Sequence, residues 1–405
     1  MRIAFLTSRL PYPPIGGDRV RAFHVIRHLL KGHRVRVYAI GSPLRGSAEE
    51  DSAHLMDCER RIFPMHRAAY AWNVLKGLIS ELPLQVKLYE TPRLLQGLKA
   101  DVERGEIDLI FVHLLRMAEY ARPFPEIPRI LDMVDSLCLH YRRMAASAFS
   151  IRKMPALIDS GRVCRYECAV PTWFDSVLLT SQVDLDFVQE ASRAANLRLV
   201  QNGVELSEFS VTEQFVDPQR IVFMGKLDYL PNADAAVYFA KQVLPIIRRS
   251  VPGARLLIVG FNPTKAVRAL SCVPGIGVLA NVPDVRPAVA GSAVSVAPLR
   301  FGAGIQNKVL ESLALGVPVV ASAEAGGAFR HHRESPLLVG GNAEDLAGHV
   351  VRLLTDGAFR EKLSRQSRIF VERWYAWERV LKPLDDALQD ALTARGRRAI
   401  GAGTS

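Results

Sequence analysis

Short apolar runs rich in β-branched residues alternate along the chain with stretches whose apolar positions recur every three to four residues. The runs 2–7, 34–40, 107–113, 129–132, 175–180 and 198–201 predict buried strands. Between the first two, Val20, Phe23, Ile26 and Leu30 share one face of a predicted helix over Arg19–Leu30. A second series of runs, 220–224, 254–259, 293–297, 318–321 and 336–339, interleaves with predicted helices over 233–249, 306–315, 343–355, 358–370 and 377–393. Strand–helix–strand alternation predicts parallel sheets covered by helices on both faces. Each series opens with an apolar strand, a glycine turn and a helix. The fold class is therefore α/β, with two doubly wound domains facing across a cleft. Residues 44–106 show neither period clearly and are expected to form a helical insertion.

The polar stretch Glu205–Gln219 lacks periodicity and marks the break between the domains. The expected organisation is a first domain over 1–205, a linker over 206–218 and a second domain over 219–376. A helix over 377–394 then crosses back to the first domain, and the small, polar stretch 395–405 frays. In open parallel sheets, ligands bind at the carboxyl ends of the strands, so motifs at strand ends carry the chemistry.

The strongest such motif is Ala297-Pro-Leu-Arg-Phe-Gly-Ala-Gly-Ile-Gln-Asn-Lys308, continuing to Glu311 and Gly316. A strand ends in a glycine turn at Gly302 and Gly304, and a helix begins near Ile305. Free amides at a helix start make a seat for an anion such as diphosphate. Lys308 adds a point charge there. Glu311 shares a face with Asn307, and a carboxylate in that place can accept two hydrogen bonds from a vicinal diol such as a ribose. The plainer alternative is a crossover unit with Glu311 paired to Lys308. Gly225-Lys226 closes the first strand of the second domain, where a glycine lets the backbone approach a ligand. In the first domain, Gly16 and Gly17 occupy the matching turn, with Arg19 and Arg21 opening the helix. His113 ends one strand, as a ligand contact or a core histidine. Asp132 and Asp135 end the next; they orient an acceptor hydroxyl or Arg21, or Asp135 or Ser136 caps the following helix.

These segments resemble retaining glycosyltransferases of family four, which have two Rossmann-like domains in the GT-B architecture. They are most similar to the branch acting in bacterial exopolysaccharide assembly, whose pattern is Pro-Leu-Arg…Gly-x-Gly-Ile-Gln-Asn-Lys-x-Leu-Glu. The resemblance extends to Leu10–Arg21, Gln201-Asn-Gly-Val204, Phe223–Asp234, Val282-Pro-Asp-Val-Arg286 and Trp374-Tyr-Ala-Trp377. It implies that the second domain binds a UDP- or GDP-linked sugar as co-substrate, with no other cofactor, and that the first domain binds the acceptor. Glu311 would hold the ribose and Lys226 and Lys308 the diphosphate. Gly225, Arg300, Gly302, Gly304, Ile305, Gln306 and Asn307 would complete the donor site. His113 would meet donor sugar or acceptor, and Gly16, Gly17, Arg21, Asp132 and Asp135 would line the acceptor site. The implied reaction is glycosyl transfer with retention to a lipid-linked or polysaccharide acceptor. Two positions depart from the family pattern: Ala303 replaces the first of two glutamates, and Pro231 stands where a second lysine is common. The rival within the fold is a nucleotide-sugar epimerase, which would need acid and base carboxylates in the cleft and no acceptor site.

Charge adds a partner class. The 405-residue chain carries 52 Lys and Arg against 41 Asp and Glu, a net +11, and residues 1–45 hold nine basic side chains and one acid, Asp18. An Arg-favouring coding bias accounts for such a balance equally well, as does an anionic partner: phosphates, acidic lipid or nucleic acid. No stacking motif or recognition-helix pattern supports nucleic acid. The stretch His66–Lys99 places Tyr70, Trp72, Leu75 and Leu78 among basic side chains, which suits an anionic membrane surface. No apolar run approaches the ~18–20 residues that span a bilayer, and the first residues read as a strand rather than a secretory signal. The five cysteines are dispersed without zinc spacing, so no metal is expected, and the thiols are expected to be reduced. The expected location is cytoplasmic, peripheral to the inner face of the plasma membrane.

Overall fold

The computed structural model describes residues 1–14, 16–41, 58–146, 154–210, 215–301 and 304–402. They form two compact units: Met1–Gln201 with Leu381–Ser405, and Asn202–Val380.

The first unit is built on seven parallel strands. They are β1 (Arg2–Thr7), β2 (Arg34–Ile40), β3 (Glu59–Phe63), β4 (Leu109–His113), β5 (Arg129–Val134), β6 (Ser176–Leu179) and β7 (Leu197–Leu199). Their order in the sheet is β3-β2-β1-β4-β5-β6-β7. The central strands read as apolar runs because both of their faces are covered. Ile3 to Leu6 and Leu109 to Val112 are wholly buried. The helix Gly17–Leu30 buries Ala22, Val25, Ile26 and Leu29. The helix Lys382–Ala402 belongs to this unit, tied by Asp385 to His28 at 2.8 Å and by Asp390 to Arg198.

The expected helical insertion over 44–106 needs correction. Its described part opens with β3, and helices Arg67–Leu78, Leu84–Leu88 and Pro92–Glu103 follow. The strand Glu59-Arg-Arg-Ile-Phe hides its period behind three charges. Those charges are the edge's own pairing: Glu59 meets Arg36 at 2.7 Å, and Arg61 meets the buried Asp101 at 2.9 Å. The thiol expectation is corrected too. Helices Leu137–Ala146 and Met154–Ala169 pack together and are joined by a Cys138–Cys164 disulfide, while Cys58, Cys168 and Cys272 are free.

The second unit has six parallel strands: β8 (Asp217–Lys226), β9 (Arg255–Phe261), β10 (Ile276–Ala280), β11 (Ser292–Ala297), β12 (Val319–Ser322) and β13 (Leu338–Gly340). Their order is β10-β9-β8-β11-β12-β13. Strand β10 was not anticipated. It is an edge strand of five residues between Gly275 and Asn281, too short and too exposed to show a period. The single helix expected over 233–249 is Leu230–Tyr238 and Leu244–Ser250 joined by a π-helical turn at Phe239–Val243.

The chain enters this unit on the segment Asn202–Val204 and leaves it after Trp377–Val380. The two passages pair: the Val204 N–H donates to the Tyr375 carbonyl at 2.8 Å, and Val204 bridges Ala376. Gly203 is required here, because a Cβ would lie 2.8 Å from Trp377 Cδ2 and 2.9 Å from its Cα. This explains why a glycine at the boundary and an aromatic near the end occur in one chain.

Candidate active site

In both sheets the strand order reverses beside the first strand, between β1 and β4 and between β8 and β11. Ligands of such sheets bind at that crevice, beyond the carboxyl ends of the strands.

In the second unit, β8 ends in Gly225-Lys226 and the helix Asn307–Ala314 follows β11. Gly304 stands in the left-handed region at φ +70°, which turns the chain toward that helix. The first-turn amides have no acceptor within the helix, and Gln306 at its start forms no side-chain cap. Gly302 and Ala303 lie outside the described residues. Ile305 is buried. Asn307 accepts a hydrogen bond at its Oδ1 from Asn202 Nδ2 at 3.1 Å, which fixes the entering segment to the helix start.

The Lys308 ammonium donates to Asn232 Oδ1 at 2.5 Å and lies 5.0 Å from the centre of the Phe223 ring. Asn232 Nδ2 in turn donates to the Lys226 carbonyl at 3.0 Å. Gly225 makes room for this: a Cβ there would sit 2.9 Å from Asn232 Nδ2 and 3.6 Å from Lys308 Nζ. Loss of water lowers the Lys308 ammonium to about 7, against the support of Glu311. The same loss raises the Glu311 carboxyl to about 7, opposed by Lys308. Among the described residues no donor reaches the Glu311 carboxylate, and it forms no ion pair with Lys308, so the plain crossover pairing is not what the structure has. Lys226 is half-exposed with Asp228 at 3.6 Å. Arg300 is held by Asp234 through Nε at 2.8 Å and stacks on Tyr238, 5.3 Å from the ring centre. The structure thus gathers Gly225, Lys226, Lys308, Glu311 and Asn307 at one strand-end crevice.

The first unit places a second constellation at the ends of β4 and β5. Arg21 is fully enclosed, with Nε 2.8 Å and Nη2 2.7 Å from the Asp132 carboxylate and Nη1 3.2 Å from the Gln201 carbonyl. His113 Nδ1 lies 2.9 Å from Asp132 Oδ2 and its Nε2 3.0 Å from the Asp18 carbonyl, so both ring nitrogens face oxygen acceptors. Although burial opposes it, the Arg21 guanidinium and the hydrogen bond from His113 hold the Asp132 carboxyl down at about 2. Gly16, at φ +99°, starts the helix that carries Asp18 and Arg21, and Gly17 is its first residue. Ile15 lies outside the described residues. Asp135 accepts the Thr180 hydroxyl at 2.9 Å, and burial with Asp184 nearby raises it to about 7. Ser136, not Asp135, caps the next helix by accepting the Leu139 N–H at 3.1 Å.

Sequence reasoning assigned no role to Asn232, Asn202, Asp234 or Thr180. The first three lie in segments whose resemblance was noted, but a neutral amide beside a lysine gives no charge signal of its own.

Residues 218–356, most of the second unit, match the family model described as glycosyl transferases group 1. No curated protein matches the chain. Among solved structures, sucrose-phosphate synthase from Thermosynechococcus elongatus is 16% identical and covers 100% of each chain, with a TM-score of 0.70. HepE from Anabaena, solved in complex with UDP and glucose, is 13% identical over 96% of this chain and 99% of its own, with a TM-score of 0.68. WaaG, a glycosyltransferase involved in lipopolysaccharide biosynthesis, is 12% identical over 95% of this chain and 98% of its own, with a TM-score of 0.62. The chain therefore has the two-domain α/β fold of the GT-B glycosyltransferases, and its second unit is similar to glycosyl transferases group 1.

Proposed function

We propose that the chain transfers a glycosyl group from a nucleotide-diphosphate sugar, with retention at the anomeric carbon, to a lipid-linked or polysaccharide acceptor. The observation that carries this reading is the half-buried Lys308 held beside Glu311, which no described residue pairs, at the β8–β11 crevice. Departure of the diphosphate builds negative charge, which the Lys308 and Lys226 ammonium groups and the first-turn amides would stabilise. Glu311 would accept the ribose hydroxyls. The leaving phosphate oxygen would take the acceptor proton on the same face, which accounts for retention without a separate general base. The complex of HepE with UDP and glucose supports a uridine nucleotide as the first donor to try. In the first unit, Arg21 would act through Asp132 and His113, since it exposes no surface of its own.

An anionic membrane surface is the proposed setting. The helix Arg67–Leu78 is anchored by Asn73, whose Nδ2 donates to the Glu90 carbonyl at 2.8 Å, and by Gly77, whose carbonyl accepts from Arg162 at 2.7 Å. Its other face leaves Trp72 58% and the following Ile79 91% exposed, with Leu75, Leu78 and Lys76 beside them. That combination of apolar bulk and cations supports lipid contact.

Incubation with a panel of UDP- and GDP-sugars, following release of nucleoside diphosphate and the anomeric form of the product, tests the reaction. Release with a retained anomer is expected for one donor. Interconversion of the sugar with no nucleotide released would mean an epimerase, and no turnover of any donor would sink the reading.

A further inference from the structure

Next to Pro231, the place where the family pattern commonly has a second lysine, stands Asn232. It is only 7% exposed, and both ends of its side-chain amide are engaged. An ammonium can only donate and a backbone carbonyl can only accept, so the amide orientation is unambiguous: Oδ1 faces Lys308 and Nδ2 faces the Lys226 carbonyl. Among the described residues, the Phe223 ring and Glu311, one turn on and not paired with it, also lie near the Lys308 ammonium. Lys226 is turned to Asp228.

We infer that Asn232 is a positioning residue: its amide holds the Lys308 ammonium in place before any diphosphate arrives and fixes the end of β8 to it. This rests on the donor-site reading above. The choice of amide has a physical reason. A carboxylate of the same shape would anchor the lysine equally well but cancel its charge, and could not donate to the Lys226 carbonyl. The neutral amide leaves the charge of Lys308 whole for a bound anion. Gly225 is the third part of the device, because any side chain there would displace the amide.

Competitive acylation of Lys308, followed by mass spectrometry on the protein without nucleotide, tests the placement. Asn232→Ala should make Lys308 react faster at neutral pH, since the ammonium loses its acceptor. Asn232→Asp should make it react more slowly. The decrease with Asn232→Asp should be about 10- to 100-fold, matching one hydrogen bond to a charged group, and the increase with Asn232→Ala at most about twofold at pH 7, where about half of the Lys308 amine is already free. Gly225→Ala, with Asn232 intact but pushed aside, should behave as Asn232→Ala does. If Asn232→Ala fails to fold, the isosteric Asn232→Asp carries the test. Equal Lys308 reactivity in wild type and Asn232→Asp would overturn the inference. In turnover with the best donor of the panel, Asn232→Asp should lower kcat more than it raises KM. A changed Lys308 reactivity in a protein that binds no nucleoside diphosphate would uphold the positioning role and remove the donor reading instead.

Discussion

The Glu311 carboxylate is half-buried and raised to about 7, yet among the described residues nothing donates to it. A desolvated acceptor with no internal partner is costly unless a ligand completes it. Glu311→Ala should therefore weaken binding of the nucleoside diphosphate by ~1.5–3 kcal/mol, the worth of a hydrogen bond to a charged group, without unfolding the chain. Calorimetry with the diphosphate alone measures this, and an unchanged affinity would remove Glu311 from the ribose. Glu311, Lys308 and Gly225 were legible because charge and glycine at strand ends are conspicuous in a sequence. Asn232 was not, because an amide declares itself only through the two atoms it touches. Arg21 was legible as a cation near a turn, with Asp132 as one candidate partner; the fold adds that the pair is wholly enclosed.

The helix Leu137–Ala146 starts on a platform of buried acids. Glu167 accepts the N–H groups of Leu137 at 2.8 Å and Cys138 at 3.2 Å, Asp184 accepts that of Ser136 at 3.1 Å, and the Ser136 hydroxyl bonds to Glu167. Burial raises Glu167 to about 7, above the ~4.3 of an unfolded chain. The native state thus holds a proton that the unfolded state has released. This lowers stability progressively as pH rises from about 4 to about 7, and no further above that. Glu167→Gln should flatten that part of the stability curve, read as the denaturation midpoint at pH 5, 6 and 7. Parallel curves for the two proteins would show that groups other than Glu167, Asp135 among them, carry the dependence. At this scale the central strands were plain from their apolar runs, while β3 and β10 were not. An edge strand is half-solvated, so its side chains answer to neighbours such as Arg36 and Asp101 rather than to a two-residue period.

For the whole molecule, a net +11 and an exposed apolar helix face bear on where the protein works. Each basic side chain near an anionic bilayer contributes ~1 kcal/mol, and salt screens it over about 8–10 Å. The protein should co-sediment with anionic vesicles at low salt and leave them at high salt. Arg67→Gln, Lys76→Gln and Trp72→Ser together should abolish this while donor hydrolysis persists. Arg61 is unsuited to such a test, because its guanidinium serves the buried Asp101. A protein that ignores anionic vesicles even at low salt would point to a soluble acceptor. Finally, the pairing of Val204 with Ala376 has a consequence in genetic terms. The second unit is a cassette: it is one continuous stretch, Asn202–Val380, whose end segments pair at Val204 and Ala376, and the host chain resumes at Leu381. A cassette of this kind tolerates excision and relocated termini. Residues 202–380 expressed alone should melt in one cooperative transition. A host closed by a Gly-Ser link from Gln201 to Leu381 should keep its seven-stranded sheet, so that gene fusion could exchange one second unit for another.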